Sequence, residues 1–307
     1  LKTNLEVSSF VTNYPVQEAL IQEAIQEPTG QVTAWDRGIH PTAVISPKAV
    51  LGKDVSVGAF SIIGDNVVIG DGSKIGHHVV IEGYTTIGEN NEIFHFASVG
   101  AKPQDLKFHG EKSQLVIGNK NIIREFTTLQ PGTEGGGMIT RIGDGNLFMA
   151  NSHVGHDCIV GNNNIIANSV ALAGHVTLGN RAVLGGLCAI HQFCRIGDFA
   201  MVGGGSMVER DVPPFAIVQG DRAKLRGVNT IGLQRSGASS ESVREIRSVY
   251  RSLLKGEGSL EQRILGIEKE LASGTYPNSQ ELVLKLLSFW KESKRGVCAA
   301  VKSGLDS

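Results

Sequence analysis

Aromatic side chains are scarce in this chain of 307 residues: they make up 6%, with 2 Trp and 4 Tyr. Scarcity of large rings argues against a broad core built on them and for a narrow interior filled by small aliphatic groups. Cysteine is also scarce, and the 4 residues show no framework spacing, which argues against a disulfide-stapled secreted domain and for a reducing compartment. Neither sign of charge is in excess, with 29 Lys and Arg against 30 Asp and Glu, so no global field favours nucleic acid or an anionic membrane. No apolar run approaches the roughly 18 residues that cross a bilayer. Glycine, in contrast, is abundant at 39 residues, which implies many tight corners.

The glycines belong to a repeat. From Ile39 an aliphatic residue returns at every sixth position through Ile45, Leu51, Val57, Ile63 and onward to Val99. The pattern resumes at Ile117, Ile123 and Leu129, and again from Ile142 to Val208. Glycine very often follows, and the fifth position is usually small, as at Ala43, Ala49, Ser61, Ser73, Thr85, Ala97, Thr127, Ser152 and Ala182. A period of six fits neither a 3.6-residue helix nor a hairpin meander; it is the signature of a β-helix. The first and fifth positions point inward, and three hexads make one coil of a triangular prism, with coils stacked about 4.8 Å apart. This predicts a parallel β-helix over residues 39–220.

Two stretches break the pattern, "GAKPQDLKFHGEKSQLV" (100–116) and "QPGTEGGGMITR" (130–141), and are expected to protrude as loops. Gly135, Gly136 and Gly137 lack the following helix and Lys of a phosphate loop. Residues 221–307 form a separate helical domain. Val243, Ile246, Val249, Tyr250 and Leu253 mark one helical face; Ser259 with Gln262, and Asn278 with Glu281, mark two further helix starts. Arg235, Arg244, Arg247, Arg251 and Lys255 form a basic stripe, which is either a solvated face or a surface for an acidic protein. Residues 1–38 precede the repeat as an N-terminal extension with a short helix expected at 16–27. The chain begins at Leu1, so a processed product is expected, the extension being what remains after a transit peptide is removed.

Chemistry concentrates in "NSHVGHDCIVG" (151–161). With Val154 as a first position, Cys158 is a fifth and faces inward, while His156 and Asp157 face out or lie near a corner. Cys158 therefore cannot join His153 and His156 around zinc. Cys188 and Cys194 are fifth positions as well and read as small core residues. Val154, Leu172 and Ile190 are spaced by 18, so His153, His156, His175 and His191 gather on one strip across successive coils. Gly174 falls one coil above His156, where its N–H can meet a developing oxyanion and its missing side chain lets a substrate approach. His156 beside Asp157 offers a base with a carboxylate to orient it. The combination suits a histidine that activates a hydroxyl against a thioester.

These motifs, together with "LAGHV", "AIHQFCRIG", "FASVG", "QDLKF", "DVPPFAIVQG" and "GVN", resemble the UDP-N-acetylglucosamine O-acyltransferase family over roughly residues 39–296. The resemblance implies a left-handed parallel β-helix, where the ordinary crossover rule favours the right hand, and a homotrimer with sites between subunits and no metal or cofactor. His156 is then the general base for the glucosamine 3-hydroxyl, Asp157 its support, and Gly174 N–H the oxyanion donor; the acyl donor is a 3-hydroxyacyl chain on acyl carrier protein. His153, His175, His191 and Gln192 line the sugar and acyl positions. Gln104, Asp105 and Lys107 on the first loop contact the sugar nucleotide from a neighbouring subunit, and Asn229 and Arg235 sit near the nucleotide. Gly204 opens a groove for a long acyl chain, and the basic helical domain receives the carrier.

The chain departs from the family at Ile231, where an acidic residue is usual, and at Ser236, where a second basic residue is. Competing readings are the related N-acyltransferase of the same pathway, a γ-carbonic-anhydrase-like zinc enzyme, which leaves Asp157, Gly174 and both loops unused, and a binding β-helix without chemistry. The extension and its start point to a eukaryotic organelle, the mitochondrion, with the bacterial cytoplasm as the alternative.

Overall fold

The computed structural model describes residues 38–301; the helix expected at 16–27 lies outside the described residues. Short strands stack into three sheets of nine, eight and ten strands, one per face of a prism. The nine-stranded face carries Thr128–Leu129, His153–Val154, Ala171–Leu172 and Ala189–Ile190 in parallel register, with Val154 paired to Leu172 and Leu172 to Ile190. The prism is a left-handed parallel β-helix. First positions such as Val57, Ile75, Ile93, Leu129, Phe148 and Val154 are fully buried. At the start of the prism the interior is open: Ile39 is 54% exposed.

The coil step is 18 residues except at the two loops, where Val99 pairs with Leu129 and Leu129 with Val154, and in the last coil, which is shorter and pairs Val202 with Val218. Both insertions thus leave the prism on the corner that follows the nine-stranded face.

The corners explain how one chain repeats this turn. Fourth-position residues adopt left-handed backbone: Phe60, His78, Phe96, Asp157, His175 and Phe193 have φ of 59°, 54°, 63°, 59°, 60° and 66°. Such a conformation costs a non-glycine residue roughly 1–2 kcal/mol, and neighbouring coils offset it. The N–H of a fourth-position residue donates to the third-position carbonyl one coil before, as His175 does to His156 O at 2.9 Å. Third-position side chains then accept the N–H below: Asn119, Asp144, Asn162, Asn180 and Asp198 do so at 2.6–2.8 Å on one edge. On the next edge His77 and His95 do it through Nδ1 at 2.8 and 2.9 Å.

The interior departs from the expected small fifth position. Asn91, Asn121, Asn146 and Asn164 occupy it and are buried. Each of the last three donates its Nδ2–H to the Oδ1 of the one below at 3.1, 3.0 and 2.9 Å, and each Oδ1 also takes the backbone N–H above. A polar side chain fits here because every donor and acceptor in the column is satisfied.

After Ala216–Gln219, an antiparallel strand, Lys224–Val228, closes the ten-stranded face. Four helices follow: α1 (Thr230–Arg235), α2 (Ser240–Lys255), α3 (Leu260–Ala272) and α4 (Gln280–Glu292). α2 buries Val243, Ile246, Val249, Tyr250 and Leu253, and Ser259 with Gln262 forms the reciprocal capping pair of α3. α4 begins one residue later than the sequence suggests, because Asn278 and Ser279 spend their side chains on Glu245 of α2. The helices are tied to the prism by buried groups: Tyr250 Oη–H donates to Pro214 O, and Asp211 accepts from Arg195 N–H and Ser293 Oγ–H.

Candidate active site

His156 and Asp157 occupy the third and fourth positions of one corner on the edge after the nine-stranded face. Of the two expectations for Asp157, facing out or lying near a corner, the structure has the second. Its side chain is fully buried, because the 130–141 loop folds back over it. Thr133 donates to it twice, N–H to Oδ1 at 2.8 Å and Oγ1–H to Oδ2 at 2.6 Å. Asp157 N–H donates in turn to Thr140 Oγ1 at 2.8 Å. A Cβ on Gly136 would fall 1.9 Å from Asp157 Cγ, whereas one on Gly135 or Gly137 would meet nothing within 4 Å, so the middle glycine alone serves close packing over a carboxylate. Burial of an ionised carboxylate is tolerable only with such partners.

The remaining contact of Asp157 Oδ2 is His156 Nδ1, 2.7 Å away. A carboxylate on Nδ1 fixes the tautomer and leaves Nε2 as the basic atom. Nε2 is turned toward Asp105 of the first loop, whose Oδ2 lies 4.0 Å away. The first loop was expected to reach the site from a neighbouring subunit; within one chain it already lies over its own histidine. Lys107 N–H donates to Asp105 Oδ1 at 3.0 Å while its side chain is exposed, and Gln104 N–H donates to Gln130 Oε1 at 3.2 Å, joining the two loops.

Gly174 lies one coil above, and what its missing side chain admits is the His156 ring: a Cβ there would stand 2.5 Å from Cε1 and Nε2. The glycine also interrupts the third-position ladder. No side chain at 174 accepts the His156 N–H, and among the described residues neither His156 N–H nor Gly174 N–H has a protein acceptor. Two unclaimed amides beside an imidazole Nε2 suit an oxyanion.

His175 crosses His156 edge to face at 5.1 Å, stacks on Phe193 at 4.5 Å, and has its Nε2 3.8 Å from Asp157 Oδ2. Burial lowers its pKa against the raising effect of Asp157. His153, on its strand, shares a hydrogen bond with Thr128 Oγ1 at 2.7 Å, and burial, then His156, lowers its pKa. His191 is exposed and turns its Nδ1 to Gln192 O at 3.1 Å; no ring contact or hydrogen bond joins it to the other three among the described residues. Cys158 is buried, and burial pushes its thiol up to about 12, as expected of an inert core residue.

The donor atoms of His156, Asp157 and His175 lie within 4.8 Å of one another, a spacing compatible with a cation. The hydrogen bonds favour proton transfer instead, since a cation on Asp157 Oδ2 would have to displace Thr133 Oγ1–H and His156.

Two expected residues stand elsewhere. Asn229 caps α1: its Oδ1 accepts Gly232 N–H and its Nδ2–H donates to Phe199 O, both at 2.9 Å. That places Asn229 on the edge after the eight-stranded face, and Arg235 is at the exposed end of the helix it caps. Gly204 lies on the third edge, where a Cβ would meet nothing closer than Gly186 O at 3.4 Å. Within one chain, then, the histidines, Asn229 and Gly204 occupy three different edges. The sequence reading missed Thr133, Thr140 and Gly136; the insertion's place one coil before His156 was visible, but not which of its residues turn back.

A histidine held by a buried carboxylate on a prism of hexads, with free amides at its side, is the equipment of a hexapeptide-repeat acyltransferase. Comparison with known proteins narrows the class. Residues 211–298 match the family model "Udp N-acetylglucosamine O-acyltransferase; Domain 2", and residues 48–83 and 139–174 match "Bacterial transferase hexapeptide (six repeats)". A UDP-N-acetylglucosamine O-acyltransferase of Myxococcus xanthus is 52% identical over 259 residues, covering 84% of this chain and 98% of that protein. Solved UDP-N-acetylglucosamine acyltransferases from Campylobacter jejuni and Arabidopsis are 37% and 38% identical, with TM-scores of 0.78 and 0.72. They cover 86% and 85% of this chain, and 100% and 99% of their own. The chain belongs to the UDP-N-acetylglucosamine O-acyltransferase family. No described helix is long and apolar enough to cross a membrane. The relatives named above give the mitochondrial expectation no support.

Proposed function

We propose that the protein transfers a 3-hydroxyacyl chain from acyl carrier protein to the 3-hydroxyl of UDP-N-acetylglucosamine, the first step of lipid A biosynthesis. The observation that carries the mechanism is the His156–Asp157 pair, with Nδ1 held at 2.7 Å and Nε2 open to the site. Nε2 takes the proton of the sugar hydroxyl as its oxygen attacks the thioester carbonyl. The tetrahedral oxyanion sits against Gly174 N–H, with His156 N–H beside it. Collapse breaks the C–S bond, and the proton on His156 passes to the leaving thiolate, giving an ester and free carrier thiol. His153, His175, His191 and Gln192 line the sugar and acyl positions, and Gln104, Asp105 and Lys107 face the sugar nucleotide.

Three edges carry the histidines, Asn229 and Gly204, so one substrate reaches them all only if edges of neighbouring copies converge. This supports a homotrimer in which Asn229 and Arg235 of one copy meet the nucleotide bound at the histidines of the next, and Gly204 opens an acyl groove. The exposed basic residues of α2, Arg244, Arg251 and Lys255, suit the acidic carrier.

Incubation of the protein with 3-hydroxyacyl carrier protein and UDP-N-acetylglucosamine in excess EDTA should yield an ester-linked product at the rate seen without chelator. Acylation only of an amine acceptor, or loss of activity that zinc restores, would overturn the reading.

A further inference from the structure

Thr133 precedes the 3-10 turn Glu134–Gly136 and has the extended backbone of an N-cap, φ −134° and ψ 163°. A threonine at such a position ordinarily turns its hydroxyl onto the first amides of its own helix. Here it makes no such cap. Its Oγ1–H goes instead to Asp157 Oδ2 at 2.6 Å, the oxygen that holds His156 Nδ1, while its N–H goes to Oδ1 at 2.8 Å. Thr133 is 3% exposed, and its carbonyl is held by Gly136 N–H and Met138 N–H, so the hydroxyl is carried on a fixed backbone. Gly136 closes on the carboxylate from the other side, with no room for a Cβ.

We propose that Thr133 is a positioning residue for the acyl transfer: with Gly136 it locks the rotation of the Asp157 carboxylate so that Oδ2 stays on His156 Nδ1. The proposal rests on the reading of His156 as the base. An unlocked carboxylate has alternatives close by, since His175 Nε2 is 3.8 Å from the same Oδ2. The other groups facing His156 are Asp105 at 4.0 Å from Nε2, on the first loop, and His153 on its own strand. When Oδ2 leaves Nδ1, the imidazolium formed during catalysis loses its partner. The acid limb of the rate profile then moves to lower pH as the maximal rate falls.

The test is the pH dependence of kcat and of KM for UDP-N-acetylglucosamine in Thr133→Val, Thr133→Ser and Gly136→Ala, beside His156→Ala, with a thermal melt of each. Thr133→Val and Gly136→Ala should lose roughly 10- to 100-fold in kcat, the scale of one hydrogen bond to an ionised group. Their acid limbs should shift down, with KM within about twofold, while Thr133→Ser restores the wild-type profile. A lowered kcat with an unmoved limb, or a serine variant as poor as valine, would mean that Thr133 only supports the loop. An unaffected valine variant would also overturn the proposal. Should Thr133→Val fail to fold, Gly136→Ala, which keeps the hydroxyl, reads the same carboxylate. Activity of His156→Ala would instead sink the base assignment, a separate failure.

Discussion

His156 and Gly174 depend on each other through space that only one of them can fill. The ring of His156 stands where a Cβ on residue 174 would be, 2.5 Å from Cε1 and Nε2. Gly174→Ala keeps the backbone N–H, so its effect isolates ring placement from oxyanion donation. A displacement of about 1 Å in a catalytic group costs up to roughly 100-fold in rate. The alanine variant should therefore lose at least about tenfold in kcat while melting within a few degrees of wild type; an active Gly174→Ala enzyme would show that the ring need not stay where it is. The sequence made the His156 column legible, because hexad phase alone puts Gly174 above it. It did not show that the glycine also makes room for the ring, because phase fixes which positions stack and says nothing of which way a ring lies. The burial of Asp157 was illegible for a related reason: phase puts a fourth position outward or near a corner, and what covers it is a loop whose path the repeat does not constrain.

At the level of the element, the hexad fixes strand, corner and face so strongly that the whole prism can be phased from first positions. Its fifth-position rule was too simple. Asn91, Asn121, Asn146 and Asn164 are tolerated inside because stacked coils repeat their geometry, so each amide finds the next one in register. Asn121 is central, donating to Asn91 Oδ1 and accepting from Asn146 N–H and Nδ2–H. Asn121→Ala would leave buried partners unsatisfied on both sides, at about 1–3 kcal/mol each. The variant should unfold at a clearly lower urea midpoint, with activity retained at low denaturant. An unchanged midpoint would show that the ladder contributes nothing to stability. The cap of α3 was equally readable, since it depends on Ser259 and Gln262, three apart. The start of α4 was not, because Glu245 claims Asn278 and Ser279 from another helix.

Over the whole molecule, two insertions leave one corner of the prism and close over the candidate site. The 130–141 loop buries Asp157, and the 100–116 loop brings Asp105 over Nε2. Both loops were visible in the sequence as breaks in the repeat; their contacts were not, being set by tertiary packing alone. The histidines, Asn229 and Gly204 stand on three different edges, and the Ile231 and Ser236 departures lie on α1 and its C-cap, on a different edge from the base. The central claim is that His156 moves the proton. Its most direct measurement is kcat/KM for transfer from 3-hydroxyacyl carrier protein to UDP-N-acetylglucosamine in wild type and in His156→Gln, which keeps polarity and much of the volume. Loss of a general base predicts a fall of roughly 100- to 10,000-fold with the fold intact; a glutamine variant within tenfold of wild type would contradict it.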